Sequence, residues 1–454
     1  MLVVVAGAGN LGQHLIEFFD KQQVSLILIE ENEQRLARIK SQHDIMVVKG
    51  DMLSHYVLRR ANVAACDLFI ACSGIDSSNI VSSQLAKRLG ARYSVARIYS
   101  ENIFPFENND LEEYFGVDWL VSPSLLTGYR LANQFFEEEA FSFDNYFSAQ
   151  INVFRIRISS ESACLKKTPE KILKSFKSNG TQLVAIYRNG NTIDPFSQKD
   201  WSFKEGDHVI LMSKRRDDFD FFKDFYTSKY LNQKIYIAGV SPTIFTMLSI
   251  MVTKNDQSKV TIFENDLDTC KSIMEKYNVK TINLDPADFD EIKKLEPDLG
   301  GIFICASEND ANNLTYALNA QQMGFKYIVP LVNEFDKMGL FKYFPSFKIL
   351  SPPELSAIEI HRYFNQEILS NFELVRGSHI RAVVKTVEKN SKWLGKNLKE
   401  LTNEPFFRVL CTWKEEGLEI YHPGDDVIVN EGNKLLVASF SGEKDDSLQK
   451  ILSV

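Results

Sequence analysis

The stretch Leu2-Val3-Val4-Val5-Ala6-Gly7-Ala8-Gly9-Asn10-Leu11-Gly12 decides how the first third of the chain is read. Five apolar residues in a row fit a strand buried on both faces of a parallel sheet. A G-x-G-x-x-G run follows, and His14-Leu15-Ile16-Glu17-Phe18-Phe19 continues at helical spacing. At a strand-to-helix junction each glycine has a task. Gly7 permits the tight turn, Gly9 removes the Cβ that would block a pyrophosphate, and Gly12 lets helix pack on strand. The free N–H groups of the helix start, near Asn10 and Leu11 and following Ala8, then face the phosphates. The motif alone is common; its surroundings give it weight.

The next strand, Ser25-Leu26-Ile27-Leu28-Ile29, ends in Glu30, 18 residues beyond Gly12. A carboxylate there accepts both hydroxyls of an adenosine ribose and repels a 2′-phosphate, which favours NAD over NADP. The bland alternative is a solvated charge opening a helix. The alternation continues with a helix over 35–42, a strand over 45–48 ending at Gly50-Asp51, and a helix over 55–61. A strand over 68–71, a helix over 77–89 closed by Gly90, a strand over 93–98 and a short sixth at 119–121 complete it. Six strands alternating with helices predict a Rossmann-like, doubly wound parallel α/β sheet over residues 1–135. Its ligand should lie at the carboxyl ends of the strands. Asp51 falls there on the adenine side, the Cys72-Ser73 backbone beside the ribose, and Arg97 where it can offer a phosphate charge-assisted bonds. Asp76 and Asn79 open the next helix, where ligand contact and capping are both open readings.

The chain then repeats itself. Cys72-Ser73-Gly74-Ile75-Asp76-Ser77-Ser78-Asn79 aligns with Ala306-Ser307-Glu308-Asn309-Asp310-Ala311-Asn312-Asn313, 234 residues on, and Glu30, Asp51 and Gly90 map to Glu264, Asp285 and Gly324 at the same offset. Val121-Ser122-Pro123 resembles Leu350-Ser351-Pro352. A second copy of the unit is expected over 229–366. Its phosphate loop is lost: Gly239 is kept, but Ser241 and Ile244 replace the second and third glycines, and Leu331 stands where Arg97 would map. This copy is expected to be structural, or to hold something smaller than a dinucleotide.

Residues 149–227 and 371–454 read as two small α+β modules. Asn189-Gly190-Asn191-Thr192-Ile193-Asp194-Pro195 resembles the run Glu416 to Pro423, and Lys204-Glu205-Gly206-Asp207 resembles Asn430-Glu431-Gly432-Asn433. A helix over 125–139 should leave the first sheet as a crossover or hinge, with Glu137-Glu138-Glu139 as a solvated face.

Composition narrows the partners. With 454 residues, 44% hydrophobic and 25% charged, the chain is ordinary globular material of about three domains. A net charge of −8 argues against nucleic acid as the main partner and weakly against a lipid surface. None of the six cysteines forms a C-x-x-C pair, so a zinc or redox motif is not expected. The Leu2–Val5 run is too short for a signal peptide, and no stretch reaches a membrane span, so no direct membrane insertion is expected.

Taken together, these residues resemble the TrkA-type regulatory proteins of bacterial Trk/Ktr potassium uptake, the tandem RCK (KTN) family. The resemblance rests on Gly7-x-Gly9-x-x-Gly12, Gly50-Asp51, Ser73-x-x-Asp76-x-x-Asn79, Ala96-Arg97, Ile193-Asp194-Pro195 and Gly206-Asp207, and it covers essentially the whole chain. It implies two Rossmann-like units, each followed by a small RCK-C (TrkA-C) domain. It further implies a cytoplasmic gating subunit on the inner face of the cell membrane, not an enzyme. Such subunits form a ring, commonly a homotetramer, beneath a membrane-embedded potassium transporter subunit of the TrkH or KtrB type. The family's ligands are NAD(H), or ATP and ADP as alternatives, and the matching positions here are Gly7 to Gly12, Glu30, Asp51, Cys72-Ser73 and Arg97. A dehydrogenase, or a regulator of another cation channel, is the competing reading. The dehydrogenase would need an acid/base group in a substrate domain, and the seven histidines show no shared pattern.

Overall fold

The computed structural model describes residues 1–20, 24–99, 111–134, 141–146, 151–160, 162–167, 169–178, 181–188, 191–193, 202–213, 233–253, 257–364, 371–373, 380–398, 407–414, 417–421 and 425–439. The opening apolar run forms β1 (Leu2–Ala6), and the helix after the glycine loop is α1 (Asn10–Asp20). Then come β2 (Ser25–Glu30), α2 (Glu33–Gln42), β3 (Met46–Lys49), α3 (His55–Arg60), β4 (Leu68–Ala71), α4 (Asp76–Leu89), β5 (Tyr93–Arg97), α5 (Leu111–Phe115), β6 (Trp119–Val121) and α6 (Pro123–Gln134). α2 starts earlier than its apolar spacing suggests because Asn32 caps it, its side chain accepting the Arg35 N–H. The strands lie in the order β3-β2-β1-β4-β5-β6, all parallel. The order reverses between β1 and β4, so the loops after those strands part and open a crevice at their carboxyl ends.

An antiparallel sheet follows, built from β7 (Phe141–Tyr146), β8 (Ile151–Arg157), β9 (Thr181–Arg188), β10 (Asn191–Ile193) and β11 (His208–Ser213), with α7 (Pro169–Ser178) between β8 and β9. The second parallel unit holds β12 (Ile235–Ala238), α8 (Pro242–Thr253), β13 (Val260–Glu264), α9 (Leu267–Tyr277), β14 (Lys280–Asn283), α10 (Phe289–Lys294), β15 (Ile302–Cys305), α11 (Asp310–Met323), β16 (Tyr327–Pro330), α12 (Met338–Phe341) and α13 (Pro352–Tyr363). Its order, β14-β13-β12-β15-β16, repeats the first sheet, and the place of β6 is taken by two isolated parallel bridges, Ile328 to Phe347 and Leu331 to Leu350. A second antiparallel sheet comprises β17 (Asn371–Glu373), β18 (Arg381–Thr386), β19 (Phe407–Lys414), β20 (Gly417–Ile420) and β21 (Lys434–Ser439). The predicted class, two doubly wound sheets and two small modules, is the observed one.

The chain sorts into two compact units. One joins Met1–Phe135 with Tyr230–His361, the other Phe136–Lys229 with Arg362–Val454. Within the first, each copy sends its exit helix to the other. α6 lies on α8 so closely that a Cβ on Gly128 would sit 2.6 Å from the Thr246 Cβ. At the end of α13, the His361 ring stacks on Phe18 of α1 with centroids 5.7 Å apart. The exit helix thus works as a crossover between the copies. Glu137–Glu139 lie outside the described residues.

Within the second unit the two sheets share one apolar core, with Val153, Val184 and Met212 meeting Ala382, Leu410 and Leu436. The duplication reaches fine detail. Pairing skips Val184 on β9 and Leu410 on β19, so both sheets carry the same β-bulge. Gly206 and Gly432 both turn through positive φ, at 84° and 81°. The buried Asp207 takes the Arg188 guanidinium in two 2.7 Å bonds. Asp194-Pro195, Glu416 and His422-Pro423 lie outside the described residues.

Candidate functional site

The glycine loop is held by contacts that only glycine permits. Gly7 has φ +110°, its N–H donates to the Ile29 carbonyl at 2.9 Å, and a Cβ there would come within 3.0 Å of the Ser73 nitrogen. A Cβ on Gly12 would fall 2.0 Å from the Gly7 carbonyl oxygen, so α1 can pack on the loop only if position 12 is bare. Gly9 differs. Its Cβ would meet nothing nearer than the Cys72 carbonyl oxygen at 3.9 Å. It would project into open space, the room that a phosphate group would need. The first helical bond runs from the Gln13 N–H to the Gly9 carbonyl at 3.0 Å. The N–H groups ahead of it have no intrahelical acceptor, and the helix dipole adds positive potential there. Ala8 and Leu11 are buried, and Asn10 is exposed.

Glu30 closes the other side. One carboxylate oxygen accepts the Ala8 N–H at 2.7 Å, and the other accepts the Asn32 N–H at 2.9 Å. The side chain therefore ties the glycine loop to the end of β2. Each oxygen keeps a further lone pair, enough for the two hydroxyls of a ribose. Glu30 is 9% exposed, so it is oriented before any ligand arrives.

The remaining predicted residues fall into two groups. Cys72, Ser73 and Arg97 are brought together by Asn79. This fully buried side chain accepts the Ser73 N–H at 2.8 Å and donates to the carbonyls of Ser73 at 3.1 Å and Arg97 at 2.9 Å. Asn79 is thus neither a helix cap nor exposed to a ligand; it pins the β4 loop to the end of β5. Asp76 accepts the Tyr99 N–H at 2.9 Å. Ile75 occupies the N-cap of α4 with no side-chain capping bond. Arg97 donates one N–H to the Ser73 carbonyl at 2.8 Å, and its guanidinium lies over Tyr99, 5.2 Å from the ring centroid. The Cys72 thiol is buried under the loop and donates to the Gly7 carbonyl at 3.3 Å. Burial pushes its pKa up to about 12, so it stays neutral and only its backbone is offered to a ligand. Asp51 stands apart, exposed beyond β3, its carboxylate accepting the Leu53 N–H at 2.8 Å.

The second copy keeps the scaffold and lacks the opening. Gly239 has φ +77°, and its N–H donates to the Phe263 carbonyl at 2.9 Å. Asn313 repeats the Asn79 clamp, accepting the Ser307 N–H at 2.8 Å and donating to Ser307 and Leu331 carbonyls at 2.9 Å. Glu264 accepts the Asp266 N–H at 2.9 Å. Ser241, however, fills the place of Gly9 with a buried hydroxyl that has no hydrogen-bond partner. Ile244, fully buried, replaces the bare position 12. α8 accordingly begins with a tighter turn, the Ile244 N–H reaching the Ser241 carbonyl at 2.8 Å.

Sequence reasoning had not linked Phe335 or Asp336 to this site. Phe335 of the second copy donates its N–H to the Asn10 side chain at 3.4 Å. No motif marks a contact between residues this far apart in the chain; only the packing of one copy on the other creates it.

The family model of the TrkA-N domain matches residues 3–123 and 235–352, both parallel units. The chain belongs to the TrkA-N family. Among curated relatives of this TrkA-N chain, the Trk system potassium uptake protein TrkA homolog of Archaeoglobus fulgidus is 24% identical over 99% of both chains. The Trk system potassium uptake protein TrkA of Halomonas elongata is 20% identical over 100% of this chain and 99% of its own. Among solved structures, the GsuK channel bound to NAD superposes with TM-score 0.59 at 14% identity, over 100% of this chain and 79% of that one. The GsuK RCK domain gives 0.57 at 14% identity, over 100% and 95%. The family resemblance read from the motifs is borne out, and the RCK fold with it.

Proposed function

We propose that this TrkA-N chain is the nucleotide-sensing, cytoplasmic regulatory subunit of a potassium-uptake system, docked on a membrane-embedded potassium transporter subunit of the TrkH or KtrB type. Its relatives over nearly full length carry the name Trk system potassium uptake protein TrkA. One observation carries the sensing role. The open cradle over Gly9 faces the oriented Glu30 carboxylate in the first copy, while Ser241 and Ile244 occupy the matching positions in the second. The ligand is a nucleotide with an unphosphorylated adenosine ribose, NAD(H) first and ATP or ADP as competitors. A neighbour of the same fold, the GsuK channel, has been solved bound to NAD.

Gly7 to Gly12 would hold the phosphates, Glu30 the ribose, the Cys72-Ser73 backbone and Asp51 the adenosine rim, and Arg97 a phosphate oxygen. The subunit acts as a ring of four chains, each built from modules at 1–135, 149–227 (with β7, just ahead of that boundary, completing its sheet), 229–366 and 371–454. The role is regulatory rather than catalytic. His14 packs on Phe335, His43 pairs with Asp20, His208 accepts from Arg155 and His361 stacks on Phe18, so these histidines are committed to structure. Among the described residues, no helix is long and apolar enough to cross a membrane. A ligand shifts such a ring only if it binds its two shapes with different affinity.

Potassium flux into vesicles carrying the membrane subunit tests this. Adding the chain should make flux depend on nucleotide, and Glu30→Ala should abolish that dependence. Flux indifferent to the chain would overturn the proposal.

A further inference from the structure

The phosphate end of the first copy's site is touched by the second copy. The 3₁₀ turn Phe335–Lys337 lies against α1 and α2. The Phe335 N–H donates to Asn10 Oδ1 at 3.4 Å, and its ring meets His14 edge-on with centroids 4.7 Å apart. Asp336 takes the Arg38 guanidinium in a two-bond pair, one of 2.7 Å. Asn10 opens α1 beside the glycine loop. Arg38 lies on α2, whose N-cap residue Asn32 donates its N–H to Glu30. One turn therefore grips an element at the phosphate end and another at the ribose end.

The turn is firmly held from behind. The carboxylate of Asp310, fully buried at the start of α11, accepts the N–H groups of Asn333 at 2.9 Å and Glu334 at 2.8 Å. A continuous set of bonds runs from the glycine loop through Asn10, Phe335 and Asp310 into α11. It also has a chemical consequence at Asn10. A backbone N–H can be matched only by the amide oxygen, so the contact turns the two Nδ2 hydrogens away from Phe335, free to meet an anion.

Resting on the reading of the first copy as a nucleotide site, we infer that the turn Phe335–Lys337 is the element through which the second copy positions Asn10 and senses whether that site is filled. Phe335 and Asp336 are positioning residues; neither is placed in contact with the nucleotide. Linkage makes the effect reciprocal: if the bound ligand tightens the turn, loosening the turn weakens the ligand.

The full chain would be followed by hydrogen–deuterium exchange with and without NADH and, separately, ATP, alongside affinity measurements. In the wild-type chain a bound nucleotide should slow exchange both at residues 7–15 and at residues 333–341. Phe335→Ala and Asp336→Ala should retain the first protection, lose the second and bind threefold to tenfold more weakly. Asp336→Glu should restore both. A wild-type chain that binds with protection at 7–15 and silence at 333–341 would overturn this inference alone, as would variants of unchanged affinity. A wild-type chain that binds neither nucleotide would overturn it together with the site reading on which it rests.

Discussion

At the scale of single residues, the three glycines of the loop are not equivalent. A methyl group at Gly12 would overlap the Gly7 carbonyl, 2.0 Å away, whereas one at Gly9 would stand in free space, 3.9 Å from its nearest neighbour. Gly12→Ala should therefore destabilise the first copy by about 1–3 kcal/mol, the range for overpacking. Gly9→Ala should leave the melting temperature nearly unchanged while lowering nucleotide affinity at least tenfold. Thermal melts and titrations on the two variants separate folding from binding. His14 gives a second expectation. The residue is 5% exposed, Nε2 has no hydrogen-bond partner, and burial, aided by Lys342, lowers its pKa to about 4. The unfolded chain takes up this proton near pH 6.5 and the folded chain does not, so the neutral ring's contribution is intact above that value and is lost as pH falls toward 4. Between pH 7.5 and 5 the loss is about 2 kcal/mol. Urea unfolding should show His14→Phe sparing about that much of the decline.

At the scale of elements, α6 shows how much a pattern can say. The sequence reads as a helix over 125–139 that leaves the first sheet as a crossover or hinge, without naming the surface it packs on; the structure starts it at Pro123. Its destination depends on Gly128, whose missing side chain lets α6 approach α8: a Cβ there would sit 2.6 Å from the Thr246 Cβ. Gly128→Val should drive the helices apart and cost about 1–3 kcal/mol, read by chemical denaturation. A cost below about 0.5 kcal/mol would mean the two helices are not load-sharing neighbours. The strands of the first parallel sheet were legible almost residue for residue, because its central strands, buried on both faces, are written as apolar runs. The loop-pinning role of Asn79 was not legible, since an Asn three residues into a helix reads equally as cap or ligand contact. The structure resolves it because Asn79 reaches a carbonyl on β5, a pairing set by tertiary approach rather than by local spacing.

At the scale of the whole molecule, duplication explains both what is repeated and what has diverged. The two parallel sheets share order, loop clamp and exit helix, and the two antiparallel sheets share a bulge and a turn glycine. Those shared features stabilise the fold. The differences that bear on a ligand are Leu331 at the place of Arg97 and the phosphate loop, where Gly9 and Gly12 give way to Ser241 and Ile244. Both the repeat and the worn loop are visible in the sequence at offsets near 234 residues. The contacts of Phe335 with Asn10 and of Asp336 with Arg38 are not, because they arise only when the copies fold against each other. On the proposed reading, the first copy senses the nucleotide and the second responds to it.

The number of nucleotides bound per chain tests that claim most directly. Calorimetric titration of the purified chain with NADH, NAD, NADPH, ATP and ADP should give one ligand per chain, a preference against NADPH, and loss of binding in Glu30→Ala with Glu264→Ala unaffected. Two ligands per chain, or binding that survives Glu30→Ala and fails in Glu264→Ala, would contradict it.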